Sequence, residues 1–128
     1  MSDTYYVKTF GGLEITNDNV TVNIVELFGK QLVNLLQVLL FHSEKPVQKD
    51  ELIDILWPES KNPSSALKFS IFRLRAELNE IEFFKDKEVI VTTRKGYILN
   101  PNLDWNIDFV ELEKAYNQIN DGSELLDE

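Results

Sequence analysis

The 128-residue sequence has no cysteine, one histidine, one methionine, four prolines and five glycines. Without cysteine there is no disulfide framework and no thiolate metal site. A single histidine excludes a multi-histidine metal centre and any chemistry that needs two imidazoles. No apolar run approaches the roughly eighteen residues of a membrane span. The opening MSDTYYVKTF lacks a basic segment followed by a long apolar one, so no signal peptide is read and a cytoplasmic location is expected. The glycines at Gly11-Gly12 and after Lys95 are too few for a phosphate-binding loop and read as turns.

Basic charge is scarce as well. Thirteen Lys/Arg face twenty-two Asp/Glu, for a net charge of −9. A total of this sign argues against a polyanionic partner. Its distribution argues differently. Between Lys61 and Tyr97, eight basic residues meet five acidic ones, net +3; the remainder has five and seventeen, net −12. From Ile98 onward one lysine stands against eight acids. The chain is polarised, with a mildly basic middle beside an acidic tail. What remains is ordinary for a single globular domain, 43% hydrophobic and 27% charged.

Tyr5 to Ile15 is rich in aromatic and β-branched residues around Gly11-Gly12, and predicts two short strands or one strand with a bulge. Asn17-Asp18-Asn19 is a turn signal, and Val20 to Val25 alternates as a further strand. The period then changes. Leu32, Leu35, Leu36, Leu39 and Leu40 predict a helix over Lys30–His42. A second, shorter helix is expected from Lys49 to Trp57 and is stopped by Pro58. Asn62-Pro63 opens a third, which buries Leu67, Ile71, Leu74 and Leu78 and runs to Asn79. Val89–Thr93 and Tyr97–Leu99 flank Arg94-Lys95-Gly96 as a hairpin. Asn100 to Asp104 reads as a linker, and Asp108–Ile119 as a last helix with Phe109, Leu112, Ala115, Tyr116 and Ile119 on one face.

The expected fold class is therefore α+β: an N-terminal antiparallel sheet, three helices and a C-terminal hairpin wing, plus one extra helix. A short helix, a turn, a longer helix and a hairpin make the layout of a winged helix-turn-helix. The third helix carries Ser64, Ser65, Lys68, Phe69, Phe72, Arg73, Arg75 and Ala76 off its apolar stripe, with no acid before Glu77. Lysine and arginine on such a face can donate to guanine edges in a major groove, and an apolar group can touch a thymine methyl. Phe69 and Phe72 have two readings, extra core under the hairpin or exposed contact groups.

The segments FGKQLVNLLQVLLFHSEKPVQKDELIDILWPES, NPSSALKFSIFRLRAEL and VTTRKGYIL resemble the OmpR/PhoB-type winged-helix DNA-binding domain. Within that group, FGGLEI and the DELIDILW segment resemble the Streptomyces antibiotic regulatory protein type of activator, whose winged helix is followed by a helical bacterial transcriptional activator domain. WNIDFVELEKAYNQI is similar to the first helix of that domain. The resemblance implies a transcriptional activator with a DNA-binding domain over residues 1–100, then a linker and the first helix of a truncated activator domain over 101–128. It implies sequence-specific binding of double-stranded DNA, with helix 63–79 in the major groove and wing 89–99 at the minor groove. Lys68, Phe69, Phe72 and Arg73 fall where the family faces bases or adjacent phosphates; Ser70 and Arg75 fall where it holds the DNA backbone; Ser64 and Ser65, at the helix start, are DNA-binding candidates from their place on the same outer face. Arg94 and Lys95 fall on the wing tip. Glu59, Ser60 and Lys61 fall on the loop that contacts RNA polymerase, and a dimer on repeated DNA sites is implied. No cofactor, metal or catalytic residue is implied. Phe72 departs from the family, which commonly has a polar or basic residue there, and Gln48 stands where serine or threonine often caps the second helix.

Other features have plainer readings. His42 reads as a surface partner of a helix C-terminus. Glu51 with Asp54, and Glu111 with Glu113, read as solvated helix faces, and Asp121 to Glu128 as a frayed end. Trp57 is expected to plug the core between the second and third helices, and Trp105 to pin the last helix. A rival function stands beside DNA binding: a degenerate winged helix with weak or no DNA affinity that works by protein contacts. The acidic total and the two phenylalanines speak for it, and the acid-free face from Ser64 to Ala76 against it.

Overall fold

The computed structural model describes residues 4–9 and 12–121, apart from the side chains of residues 110, 111, 115, 120 and 121. The Phe10-Gly11 part of the expected turn, the Ala115 side chain and the acidic end beyond Asp121 lie outside the described residues.

Three strands open the chain: β1 (Thr4–Lys8), β2 (Glu14–Asn17) and β3 (Val20–Asn23), each antiparallel to the next. Alternation turns Tyr5, Val7 and Ile15 inward. Asp18 takes the left-handed backbone of the tight turn between β2 and β3, at φ 54°, as a short polar side chain tolerates. The strand expected to reach Val25 ends at Asn23. There the Asn23 side-chain carbonyl accepts from the Glu26 amide at 3.3 Å and caps a one-turn helix, α1 (Ile24–Leu27).

The centre of the fold is α2 (Lys30–Phe41). Its leucine stripe is buried as expected, but Val33, Gln37 and Val38 are buried too. A helix apolar on so many sides must be covered on each of them. Helices α3 (Lys49–Leu56) and α4 (Pro63–Asn79) pack on it, together with α5 (Phe109–Asp121) and strand β5 (Tyr97–Leu99). Strand β5 pairs with β4 (Ile90–Thr92) as the wing. All three expected helix-turn-helix elements and the wing are therefore present, within one or two residues of their predicted ends.

The segment after the wing departs from expectation. Asp104, expected to close a linker, begins strand β6 (Asp104–Ile107), which pairs parallel to β1 with Thr4 opposite Asp104 and Val7 opposite Ile107. The Thr4 hydroxyl donates to the Asp104 carboxylate at 2.7 Å. The sheet is thus mixed, in the order β3-β2-β1-β6, rather than purely antiparallel. Helix α5 buries Leu112 and Ile119 and stacks Tyr116 on Phe41 at a ring separation of 4.3 Å. His42, at the C-terminal cap of α2 as expected, shares a 3.3 Å hydrogen bond with the Tyr116 hydroxyl.

Trp105, expected to pin the last helix, joins an aromatic cluster against the sheet. Its ring packs on Tyr5 at 5.4 Å and Phe84 at 5.8 Å, and its Nε1–H donates to the Asn100 carbonyl at 3.4 Å. Tyr5 and Phe84, both fully buried, are 4.8 Å apart. The Tyr5 hydroxyl donates to the Phe83 carbonyl at 3.3 Å and accepts from Lys87 Nζ at 2.9 Å. This cluster ties the sheet to the 3-10 turn (Glu82–Phe84) that follows α4. Trp57 also differs from expectation: it caps the end of α3 and lies against the edge of the core, partly exposed, rather than plugging it. Phe84→Ala is expected to destabilise the protein by about 3–5 kcal/mol, measured by urea denaturation, and Trp57→Ala by clearly less because part of its ring is already in water. Equal costs would contradict this difference in burial.

Candidate nucleic-acid interface

Helix α4 is anchored by Leu67, Ile71, Leu74 and Leu78, all buried. The opposite side presents Ser64, Ser65, Lys68, Phe69, Phe72, Arg73 and Ala76, all exposed. Both phenylalanines therefore lie in solvent and not in the core: the wing leaves Phe69 62% and Phe72 69% exposed. The Arg73 guanidinium lies 5.9 Å from the centre of the Phe69 ring, an attraction that holds the cation on the outward face.

Ser70 lies apart from these residues. It is only 8% exposed, on the inner side of the helix and not on the contact face. Leu67, Ser70, Ile71 and Leu74 follow the i, i+3, i+4, i+7 pattern of the buried stripe. A small hydroxyl fits the core edge there, so the spacing alone could have placed it.

Arg75 is turned aside as well. It donates from Nε and Nη2 to the Ile90 carbonyl at 3.3 and 3.2 Å, and from Nη2 to the Thr92 hydroxyl at 2.6 Å. Its guanidinium lies 6.0 Å from the Tyr97 ring centre. The residue expected to hold a DNA backbone braces α4 against strand β4. Charge-assisted bonds of this kind are among the stronger side-chain contacts, and they set the angle between helix and wing.

A second contact seats the wing from the other side. Val47 and Tyr97 exchange backbone hydrogen bonds at 2.8 and 3.0 Å, so the segment before α3 adds a bridge to the two-stranded wing. Gly96 makes this approach feasible. Its φ is +148°, and a Cβ there would lie 1.9 Å from the Val47 carbonyl oxygen. The sequence marks Gly96 as a turn residue, but its close approach to Val47 carries no local signal.

The tip itself is tight. Thr93 and Gly96 exchange backbone bonds at 2.7 and 3.3 Å, and the Thr93 hydroxyl accepts from the amides of Lys95 and Gly96, each at 3.1 Å. Arg94 and Lys95 are exposed on it. At the start of α4, Asn62 occupies the cap position before Pro63, as predicted, but its side chain makes no capping bond and no acid lies in the first turn. The first-turn amides at Ser64 and Ser65, with the positive end of the helix dipole, thus suit an anion. Glu59, Ser60 and Lys61 lie exposed on the loop between α3 and α4, where the Ser60 hydroxyl accepts from the Asn62 amide at 3.1 Å. Gln48 stands at the α3 cap without a side-chain bond.

Residues 19–99 match the family described as "Transcriptional regulatory protein, C terminal", in agreement with the OmpR/PhoB-type resemblance. The structure of the DNA-binding domain of Escherichia coli CadC is similar, with 27% identity over 68% of this chain and 78% of that one, at a TM-score of 0.53. Mycobacterium tuberculosis EmbR, solved with a low-affinity phosphopeptide, shares the fold at 23% identity and a TM-score of 0.54, over 76% of this chain but only 24% of its own. Comparison with curated protein sequences gives no significant match. Gly96→Ala is expected to destabilise the protein by more than about 1 kcal/mol in denaturation. Arg75→Ala should speed amide exchange in β4 and β5 while leaving the centre of α2 protected. Unchanged wing exchange would show that Arg75 is not the brace.

Proposed function

Because this chain belongs to the family of C-terminal domains of transcriptional regulatory proteins, we propose that it binds double-stranded DNA sequence-specifically for a bacterial regulator. Helix 63–79 enters the major groove, and the wing over 89–99 lies at the neighbouring minor groove. The observation that carries this reading is the outward face of α4. Ser64, Ser65, Lys68, Phe69, Phe72 and Arg73 are exposed together there without a carboxylate, on a helix whose angle to the Arg94-Lys95 tip is braced by Arg75. The similarity to the CadC DNA-binding domain supports the same reading. Lys68, Arg73, Arg94 and Lys95 neutralise phosphates or donate to base edges, the two serines and the open α4 amides meet phosphate, and Arg75 acts by positioning the wing.

The exposed Glu59–Lys61 loop is the proposed RNA polymerase contact, and repeated half-sites would bring two copies together on DNA. Helix α5 is the proposed first helix of a helical activator domain, docked on α2 rather than tethered by a linker. No described helix is long and apolar enough to cross a membrane. The net charge of −9 implies weak non-specific affinity at physiological salt. The same charge supports a second reading, in which the fold works through protein contacts at Phe69 and Phe72.

Selection from random duplex DNA at low salt separates the two. An enriched motif is expected. Arg73→Ala should weaken it by about 1–3 kcal/mol and relax one position. Lys95→Ala should weaken all sequences alike and lower the salt slope by roughly one. No enrichment by the folded protein would overturn the DNA reading in favour of the protein-contact one.

A further inference from the structure

The fold leaves two large apolar rings in water at the centre of the proposed contact face. Phe69 and Phe72 are among the most exposed large hydrophobic residues described, and neither belongs to the core. Paired apolar groups exposed this way mark a contact surface rather than a folding requirement. Their surroundings narrow the occupant. Lys68 directly precedes Phe69, Arg73 directly follows Phe72, and Arg73 lies over the Phe69 ring. No acid interrupts the helix before Glu77. The occupant must therefore be anionic overall and yet offer apolar spots at close spacing.

Duplex DNA meets both conditions at one kind of group. Among the base edges in the major groove, only the thymine 5-methyl is apolar. Resting on the DNA-binding reading above, we propose that Phe69 and Phe72 are specificity-determining residues that pack on thymine 5-methyl groups, beside the base pair contacted by Arg73. The spacing suits this. Three residues advance about 4.5 Å along a helix, and base pairs follow each other at about 3.4 Å. The two rings therefore reach pairs one or two steps apart. The preferred site carries a thymine under each ring, next to a guanine whose edge takes the Arg73 fork.

The probe is the duplex that the protein itself enriches from a random library, resynthesised with single thymines replaced by deoxyuridine. That replacement removes the methyl and leaves base pairing intact. For the wild-type chain, two replacements are expected to weaken binding about four-fold each, the affinity equivalent of one buried carbon. Phe69→Ala and Phe72→Ala should each bind the thymine duplex more weakly and become indifferent to one of the two replacements. Phe72→Leu, which keeps an apolar tip, should retain the sensitivity. Both rings are exposed, so these variants should fold, and a thermal melt checks it. If deoxyuridine binds the wild type as tightly as thymine, or if the methyl effect survives unchanged in both alanine variants, the inference is overturned while DNA binding stands. If the folded wild-type protein enriches no sequence, the DNA reading is overturned and this inference with it.

Discussion

The structure depends on covering α2. A twelve-residue helix with eight buried side chains cannot lie on a surface; each face needs a partner. Helices α3, α4 and α5 all pack on it, with β5 reaching the same helix. That arrangement gives α4 its role. Its inner stripe is held by the demand of α2 for cover, which leaves the opposite face free to be polar, basic and, at two positions, aromatic. The exposed face is in this sense a by-product of core packing: the same periodicity that buries Leu67, Ile71 and Leu74 exposes Lys68, Phe69, Phe72 and Arg73.

A second level of organisation sets the geometry between helix and wing. Two contacts fix it, the Arg75 brace to Ile90 and Thr92 and the exchange of backbone bonds between Val47 and Tyr97 across Gly96. One is a charged side chain from the long helix and the other a backbone approach from the segment before α3. A two-stranded hairpin is only marginally stable alone, so its orientation is borrowed from these neighbours. The Arg75 and Lys49 cations each lie about 6.0 Å from the centre of the buried Tyr97 ring, so one side chain touches both supports.

The overall charge and the local charge of this protein point in opposite directions, and the fold reconciles them. Acidic residues dominate the chain as a whole, yet the outward face of α4 and the wing tip carry only basic charge between Ser64 and Ala76 and at Arg94-Lys95. A domain built this way repels a polyanion at a distance and attracts it only at one orientation.

The sequence by itself determined the local elements. Leucine spacing placed α2, Asn62-Pro63 placed the start of α4, the Arg94-Lys95-Gly96 run placed the wing, and the motifs identified the family. These are short-range signals, because helix periodicity, caps and turns are satisfied within a few residues. Tertiary structure alone decided the rest. DWNI is too short to announce a strand, and its partner β1 lies about a hundred residues earlier, so the parallel pairing of Thr4 with Asp104 has no local trace. The docking of α5 on α2, the position of Trp105 in the Tyr5 cluster and the turning of Arg75 towards the wing belong to the same class. Phe69 and Phe72 show the limit most clearly. Their helical phase was legible, but whether the wing covered them was a matter of where a distant hairpin lies. A side chain's exposure is set by its neighbours in space, and the wing's position was fixed by an arginine and a glycine whose partners no local pattern reveals.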